Sequence, residues 1–136
     1  ILQGIVMGFG ILALVVSVFG IVNTMYISVL ERTQQIGLMK ALGASARDIG
    51  KLFRYEAAWV GFFGGAFGSL VAWGAATALN PTISDALGLG EYYLLIFQPI
   101  MAIGVIVGLM LVAIIAGWLP SRKAAKLDPI EALRTE

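Results

Sequence analysis

ILQGIVMGFGILALVVSVFGIVNTMYISVL, residues 1–30, contains no charged side chain. As a helix it would reach about 45 Å, while about 20 apolar residues suffice to cross a hydrocarbon core roughly 30 Å thick. Two more uncharged runs follow, from Ala57 to Ser84 and from Tyr92 to Ser121. A core helix of a water-soluble domain would give apolar runs of only about 10 to 14 residues. A cleaved leader would open with basic residues, which the first run lacks. These runs predict an all-α polytopic membrane protein with three spans at 1–30, 57–80 and 92–119. Between them lie a segment at 31–56, a loop at 81–91 and a tail at 120–136.

Composition supports this. The 136 residues are 60% hydrophobic and 12% charged, with a mean hydropathy of +0.93, against about 25% charge in soluble domains. A compact soluble enzyme of this length would have to expose large apolar patches. With no His and no Cys, soft metal sites, thiol chemistry and the usual neutral-pH acid or base are excluded, so no catalytic and no metal-binding residue is assigned. The span interiors offer only mild polar groups, among them Ser17, Asn23, Thr24, Ser69 and Thr77. A proton relay needs more than these.

Charge sets the direction. Arg32, Lys40, Arg47, Lys51 and Arg54 lie between the first and second spans, and Arg122, Lys123, Lys126 and Arg134 follow the third. The loop at 81–91 carries only Asp85 and Glu91. Positive charge favours the cytoplasm, which predicts that residue 1 and the 81–91 loop are external and the C-terminus is cytoplasmic. An odd number of spans beginning outside predicts at least one earlier span, with an external domain, ahead of Ile1. Trp59, Trp73, Tyr92, Tyr93 and Trp118 fall toward span ends, as an aromatic belt requires.

Small residues recur at four-residue spacing: Gly4 and Gly8, Gly61 and Gly65, Gly64 and Gly68, Gly104 and Gly108, Ala113 and Gly117. Helix association in lipid rests on close backbone packing, so these stripes are candidate helix or subunit contacts. The 31–56 segment reads as two short helices around a tight turn. Ile36, Met39 and Leu42 keep helical spacing, Gly43 supplies the left-handed terminus, and Ser45 with Asp48 forms a capping box for a helix that can run straight into the second span. Ile49, Leu52 and Phe53 form its apolar face, opposed in part by Arg47, Lys51 and Arg54. Such an amphipathic element either lies on lipid headgroups or docks into a partner protein. A nucleic-acid partner is excluded, because three acids accompany the five bases and no stacking platform is present. In the tail, Pro120 is expected to break the third span, and Ser121 to Lys126 form a basic turn, with the bland alternative of a polybasic anchor. Asp128, Pro129 and Glu131 suit the N-cap, N1 and N3 positions of a last short helix.

Three blocks resemble the FtsX-like permease family, most closely its MacB-type ABC transporter branch: ERTQQIGLMKALGASARDIGKLF from Glu31 to Phe53, YEAAWVGFFGGAFGSLVAWG from Tyr55 to Gly74, and PSRKAAKLDPIEALR from Pro120 to Arg134. The resemblance implies the last three spans of a four-span permease in the bacterial inner membrane, with a first span and a large extracytoplasmic domain preceding them. It implies that the 31–56 loop holds a coupling helix that docks on an ATP-binding cassette, fused or separate, where ATP and Mg are bound. By that likeness Glu31, Arg32, Ile36, Gly37, Leu38, Lys40, Ala41, Leu42 and Gly43 meet the ATPase, and Glu56 marks the entry of the next span into the membrane. Gly61, Gly64, Gly65, Gly68, Gly104 and Gly108 are the candidate packing positions, and Pro120, Arg122, Asp128, Pro129 and Glu131 mark the cytoplasmic tail.

The likeness further implies a permease dimer, homomeric or with a related second permease, and, as further partners, a periplasmic adaptor and outer-membrane channel. Macrolide or peptide efflux is the favoured output, with regulation of an external cell-wall hydrolase or lipoprotein release as alternatives. This segment contains no phosphate loop: Gly50-Lys51 is followed by Leu52 where Ser or Thr is needed, and Ser45 stands where the first Gly belongs. Hydrolysis is therefore expected in a partner or fused cassette.

Overall fold

The structure, a computed structural model, describes residues 1–88, 95–128, 130 and 132. Among these, the chain forms helices α1 (Leu2–Glu31), α2 (Thr33–Ala41), α3 (Ala46–Leu87), α4 (Pro99–Ala116) and α5 (Trp118–Ala125). Gln3–Glu31, Ala46–Leu87 and Pro99–Ala125 are each long and apolar enough to cross a membrane. The basic residues fall in two stretches, 32–54 and 122–134, and contacts from Lys40 to the end of α5 and from Lys123 to α1 bring their described parts together at what is called here the basic end.

The longest element is α3. Its 42 residues extend about 63 Å, roughly twice the hydrocarbon thickness. It begins well before the uncharged run and continues past its expected limit, so residues 81–87 are helical and the loop expected from 81 starts only at Gly88. Pro81 removes one ladder bond without stopping the helix. The stop comes from Gly88, which takes the left-handed conformation at φ 65° and donates to Asp85 O at 3.3 Å. About two turns earlier, buried Asn80 grips the returning chain: its Nδ2 donates to Leu95 O at 2.8 Å and its Oδ1 accepts from Leu95 N at 3.0 Å. Both backbone polar groups of Leu95 are thereby satisfied by one side chain.

The third span also differs from expectation. Residues 95–98 are not helical, and α4 opens at Pro99, whose missing N–H costs nothing at a first helical position. The expected break at Pro120 lies one turn earlier, at Gly117. Pro120 sits inside the first turn of α5, where its ring crowds the carbonyl four residues back, that of Ala116, and so displaces the discontinuity to the Ala116–Gly117 step.

Within the spans, α3 and α4 pack antiparallel along a seam of small residues. A methyl group at Gly61 would lie 2.7 Å from both Ala113 Cβ and Leu109 O, and one at Gly65 would lie 3.0 Å from Ile106 Cα. A methyl at Gly117 would reach Ala57 Cβ at 2.6 Å. Ala57, Gly61, Gly65, Ala113 and Gly117 are all buried. Gly64, Gly68, Gly104 and Gly108 are different: a Cβ at any of them would meet nothing within 4 Å. The two overlapping α3 stripes thus separate into an internal seam and an open face. At the basic end packing changes character, with Met25, Val29, Ile36, Ile49, Phe53, Ala57 and Ala124 forming a buried apolar cluster shared by α1, α2, α3 and α5. Toward its start, α1 leaves this cluster, and every residue from 3 to 17 is exposed.

Two outcomes follow for the full-length protein. Gly61→Ala forces the α3 and α4 backbones apart and lowers stability by about 1–3 kcal/mol, the usual cost of overpacking, whereas Gly64→Ala is within about 0.5 kcal/mol of wild type; thermal midpoints in mild detergent separate the two. Asn80→Leu strands the Leu95 N–H and C=O and costs about 1–3 kcal/mol, read as faster amide exchange at Leu95.

Candidate coupling surface

Alpha2 continues almost directly from α1. Arg32 N donates to Ser28 O at 3.1 Å and Ile36 N to Arg32 O at 3.0 Å, so helical bonding bridges the joint. Thr33 Oγ1 turns back to the carbonyls of Val29 and Leu30 at 3.0 and 2.8 Å. The far end of α2 closes in a Schellman motif: Ala44 N donates to Met39 O at 2.9 Å and Gly43 N to Lys40 O at 3.0 Å, with Gly43 at φ 100°. Only Gly takes this backbone without strain.

The chain restarts at once. Ser45 Oγ accepts from Asp48 N at 3.2 Å, while Asp48 Oδ2 accepts from Ser45 N at 3.3 Å and from Ser45 Oγ at 2.6 Å. This is the expected capping box. The two hydrogen bonds from Ser45, joined by the charge of Lys51, hold the Asp48 carboxyl below its ordinary value of 3.8. A lowered carboxyl stabilises the fold above its unfolded value and loses that contribution as pH falls through the folded one. The box is therefore intact at neutral pH, and its carboxylate half weakens as pH falls through the folded value.

Burial divides the residues expected to face a partner. Ile36 is 1% exposed and packs in the apolar cluster, and Gly37 is also buried. These two turn inward and seat α2 on the helices behind it. Lys40 is half-buried, and its Nζ donates to Ala125 O and Leu127 O, both at 2.6 Å, so it acts as a strut across the end of α5. Leu38 at 53%, Leu42 at 80%, and exposed Glu31, Arg32, Ala41 and Gly43 remain at the surface. Leu38 and Leu42 lie one turn apart, with exposed Gln34 and Gln35 one turn before Leu38. The result is a small apolar ridge on a helix fixed at both ends. On α3, Ile49 and Phe53 are buried as expected, but Leu52 is 49% exposed.

Other contacts brace this unit. Glu56 accepts from Arg32 Nη1 at 3.3 Å; with side chains 34% and 51% exposed, the pair contributes at most about 1 kcal/mol and serves to fix the α1 end against α3. Lys123 Nζ meets both the hydroxyl and the ring face of Tyr26, joining α5 to α1. Arg122 lies 4.1 Å over the Trp118 ring. Asp128 Oδ1 accepts from Ile130 N at 2.9 Å and its carbonyl from Ala132 N at 2.9 Å, as an N-cap should; Pro129 and Glu131 lie outside the described residues. The Lys40 strut and the Tyr26–Lys123 contact were not foreseen. No local pattern could announce them, because their partners lie 85, 87 and 97 residues away in sequence.

Comparison with known proteins identifies this arrangement. Residues 7–129 match the family described as FtsX-like permease C-terminal. An uncharacterized ABC transporter permease, MJ1507, of Methanocaldococcus jannaschii is 39% identical over 134 residues, covering 96% of this chain and 32% of that protein. The ABC transporter permease YtrF of Bacillus subtilis is 39% identical, covering 93% of this chain and 31% of its own length. The macrolide export ATP-binding/permease protein MacB of Hahella chejuensis is 34% identical, covering 97% and 19%. The chain thus spans about a third or less of the curated relatives it matches. With three helices able to cross a membrane and a family match over nearly its whole length, the chain is a multi-pass membrane protein and belongs to the FtsX-like permease family of ABC transporters.

Proposed function

We propose that this segment couples ATP hydrolysis by a nucleotide-binding cassette to work across the bacterial inner membrane, with the basic end cytoplasmic. The observation that carries the proposal is the Leu38–Leu42 ridge: 53% and 80% exposed apolar side chains on a helix locked by a Schellman motif and joined by a four-residue turn to a 42-residue helix. Exposed apolar residues on a rigid element are what a partner can grip. A push on α2 passes through the apolar cluster and the short turn into α3, and from there along the whole span.

ATP and Mg belong to the cassette. The name of MacB, an ATP-binding/permease protein, supports a fused cassette, and that of YtrF, a permease, supports a separate one. The MacB relatives favour export of macrolide- or peptide-like compounds, by a dimer whose second permease completes the path, with an adaptor and outer-membrane channel beyond it. The second reading is a transmitter that moves no substrate and acts on an external enzyme such as a cell-wall hydrolase, or a lipoprotein-release permease. The long unbroken α3 and the mild polarity of the spans favour transmission of force. Stimulation of ATP hydrolysis by a transported compound in the intact complex separates the two, since a pure transmitter gives none.

An apolar side chain at the centre of an interface is worth about 2 kcal/mol or more. Leu42→Asp is therefore expected to weaken cassette binding about thirtyfold and to uncouple hydrolysis from output, while membrane insertion is unchanged. Gly43→Val strains the turn by about 1–2 kcal/mol and uncouples in the same sense. Normal coupled activity of both variants in reconstituted vesicles removes α2 from the mechanism.

A further inference from the structure

On the face of α3 turned toward α5 and α4, three hollows follow one another along the helix. The first, about 150 Å³, is lined by Arg47, Arg54 and Arg122 with Trp118, and its floor includes Gly50. The second, about 290 Å³, shares Arg54 with the first and adds Lys51, Tyr55, Ala58 and Ile114. The third, about 400 Å³, shares Tyr55, Ala58 and Ile114 with the second and is walled by Trp59, Phe62 and Met110. Shared walls make them one groove, cationic at the basic end and apolar above it.

From Arg47 to Phe62 is 15 residues, about 22 Å along a helix. One leaflet of a bilayer, headgroup included, is about 20–22 Å thick. The groove therefore has the length and the polarity order of a single phospholipid. Its cations are open to an anion. Arg54 Nε is held by Gly50 O at 3.2 Å and Arg122 lies over Trp118, which orients both groups. Among the described residues neither meets a carboxylate: Asp48 is turned onto Ser45, and Glu56 onto Arg32. Guanidinium forks match phosphate oxygens in pairs, and Tyr55, Trp59 and Trp118 are the residue types that settle at headgroup depth.

We infer that this groove binds one anionic phospholipid, its phosphate held by Arg47, Arg54 and Arg122 with Lys51 beside them, and one acyl chain laid between Ala58, Phe62 and Ile114. The site is distinct from the Leu38–Leu42 ridge and does not depend on the coupling role.

The test uses the full-length protein in nanodiscs of phosphatidylglycerol or phosphatidylcholine, with retained lipid counted by native mass spectrometry. Wild type keeps phosphatidylglycerol in preference to phosphatidylcholine. Each basic residue near anionic lipid is worth about fivefold in affinity, so Arg54→Gln with Arg122→Gln loses about 25-fold, while Lys126→Gln with Arg134→Gln, equal in charge, stays within about twofold. Ala58→Leu fills the apolar slot, leaves every charge in place, and lowers retention as well. Equal retention of both lipids, equal loss in the two charge-matched pairs, or no effect of Ala58→Leu overturns the site. So does displacement of the lipid by inorganic phosphate at comparable concentration, which would mean that only an anion is held.

Discussion

One continuous helix, from Ala46 to Leu87, governs the molecule. A helix resists bending because each residue is bonded to the turn before it, so a displacement at Ser45 reaches Gly88 without a joint to absorb it. Every other feature positions or anchors that rod. The capping box starts it, the left-handed Gly88 ends it, and Asn80, about two turns before that end, ties it to Leu95. Even Pro81, the residue best suited to interrupt it, falls where the helix is already held.

Two different forces hold the rest to this rod. Inside the span, water is absent and apolar residues gain nothing by leaving lipid for protein, so α3 and α4 meet through shape alone, at Ala57, Gly61, Gly65, Ala113 and Gly117. At the basic end water returns, and with it the hydrophobic effect: Ile36, Ile49, Phe53 and Met25 form a small core of the kind found in soluble proteins. The polar struts surround that core. Lys40 satisfies two carbonyls at the end of α5, where free C=O groups and the helix dipole both favour a cation.

Much of this was legible in the chain itself, because its strongest signals are local. Uncharged runs mark spans, Gly43 marks a left-handed terminus, and Ser45 and Asp48 three residues apart mark a helix start. Boundaries were less legible where two signals conflicted. A loop was expected from residue 81, where Asp85 and Glu91 lie, yet the helix continues past Pro81 to Leu87. Pro120 suggested a break at its own position, but the clash it creates acts four residues upstream. The surface of α2 was legible only in part: spacing placed Ile36 and Leu42 together, and only the packing of α1 and α5 behind α2 shows that one is buried and the other free. The small-residue stripes likewise required a neighbour to distinguish seam from open face.

The joint between α2 and α3 is four residues long, Leu42 to Ser45, and its two caps interlock. A helix turns about 100° per residue. Inserting a single residue ahead of Ile36 in α2 would rotate everything beyond the change by that angle, moving Leu42 toward the core and Ile36 toward water. Length in this part of the chain is thus quantised: substitution can be absorbed, but a change of register cannot, and descendants of this gene are expected to vary here in letters and never in count.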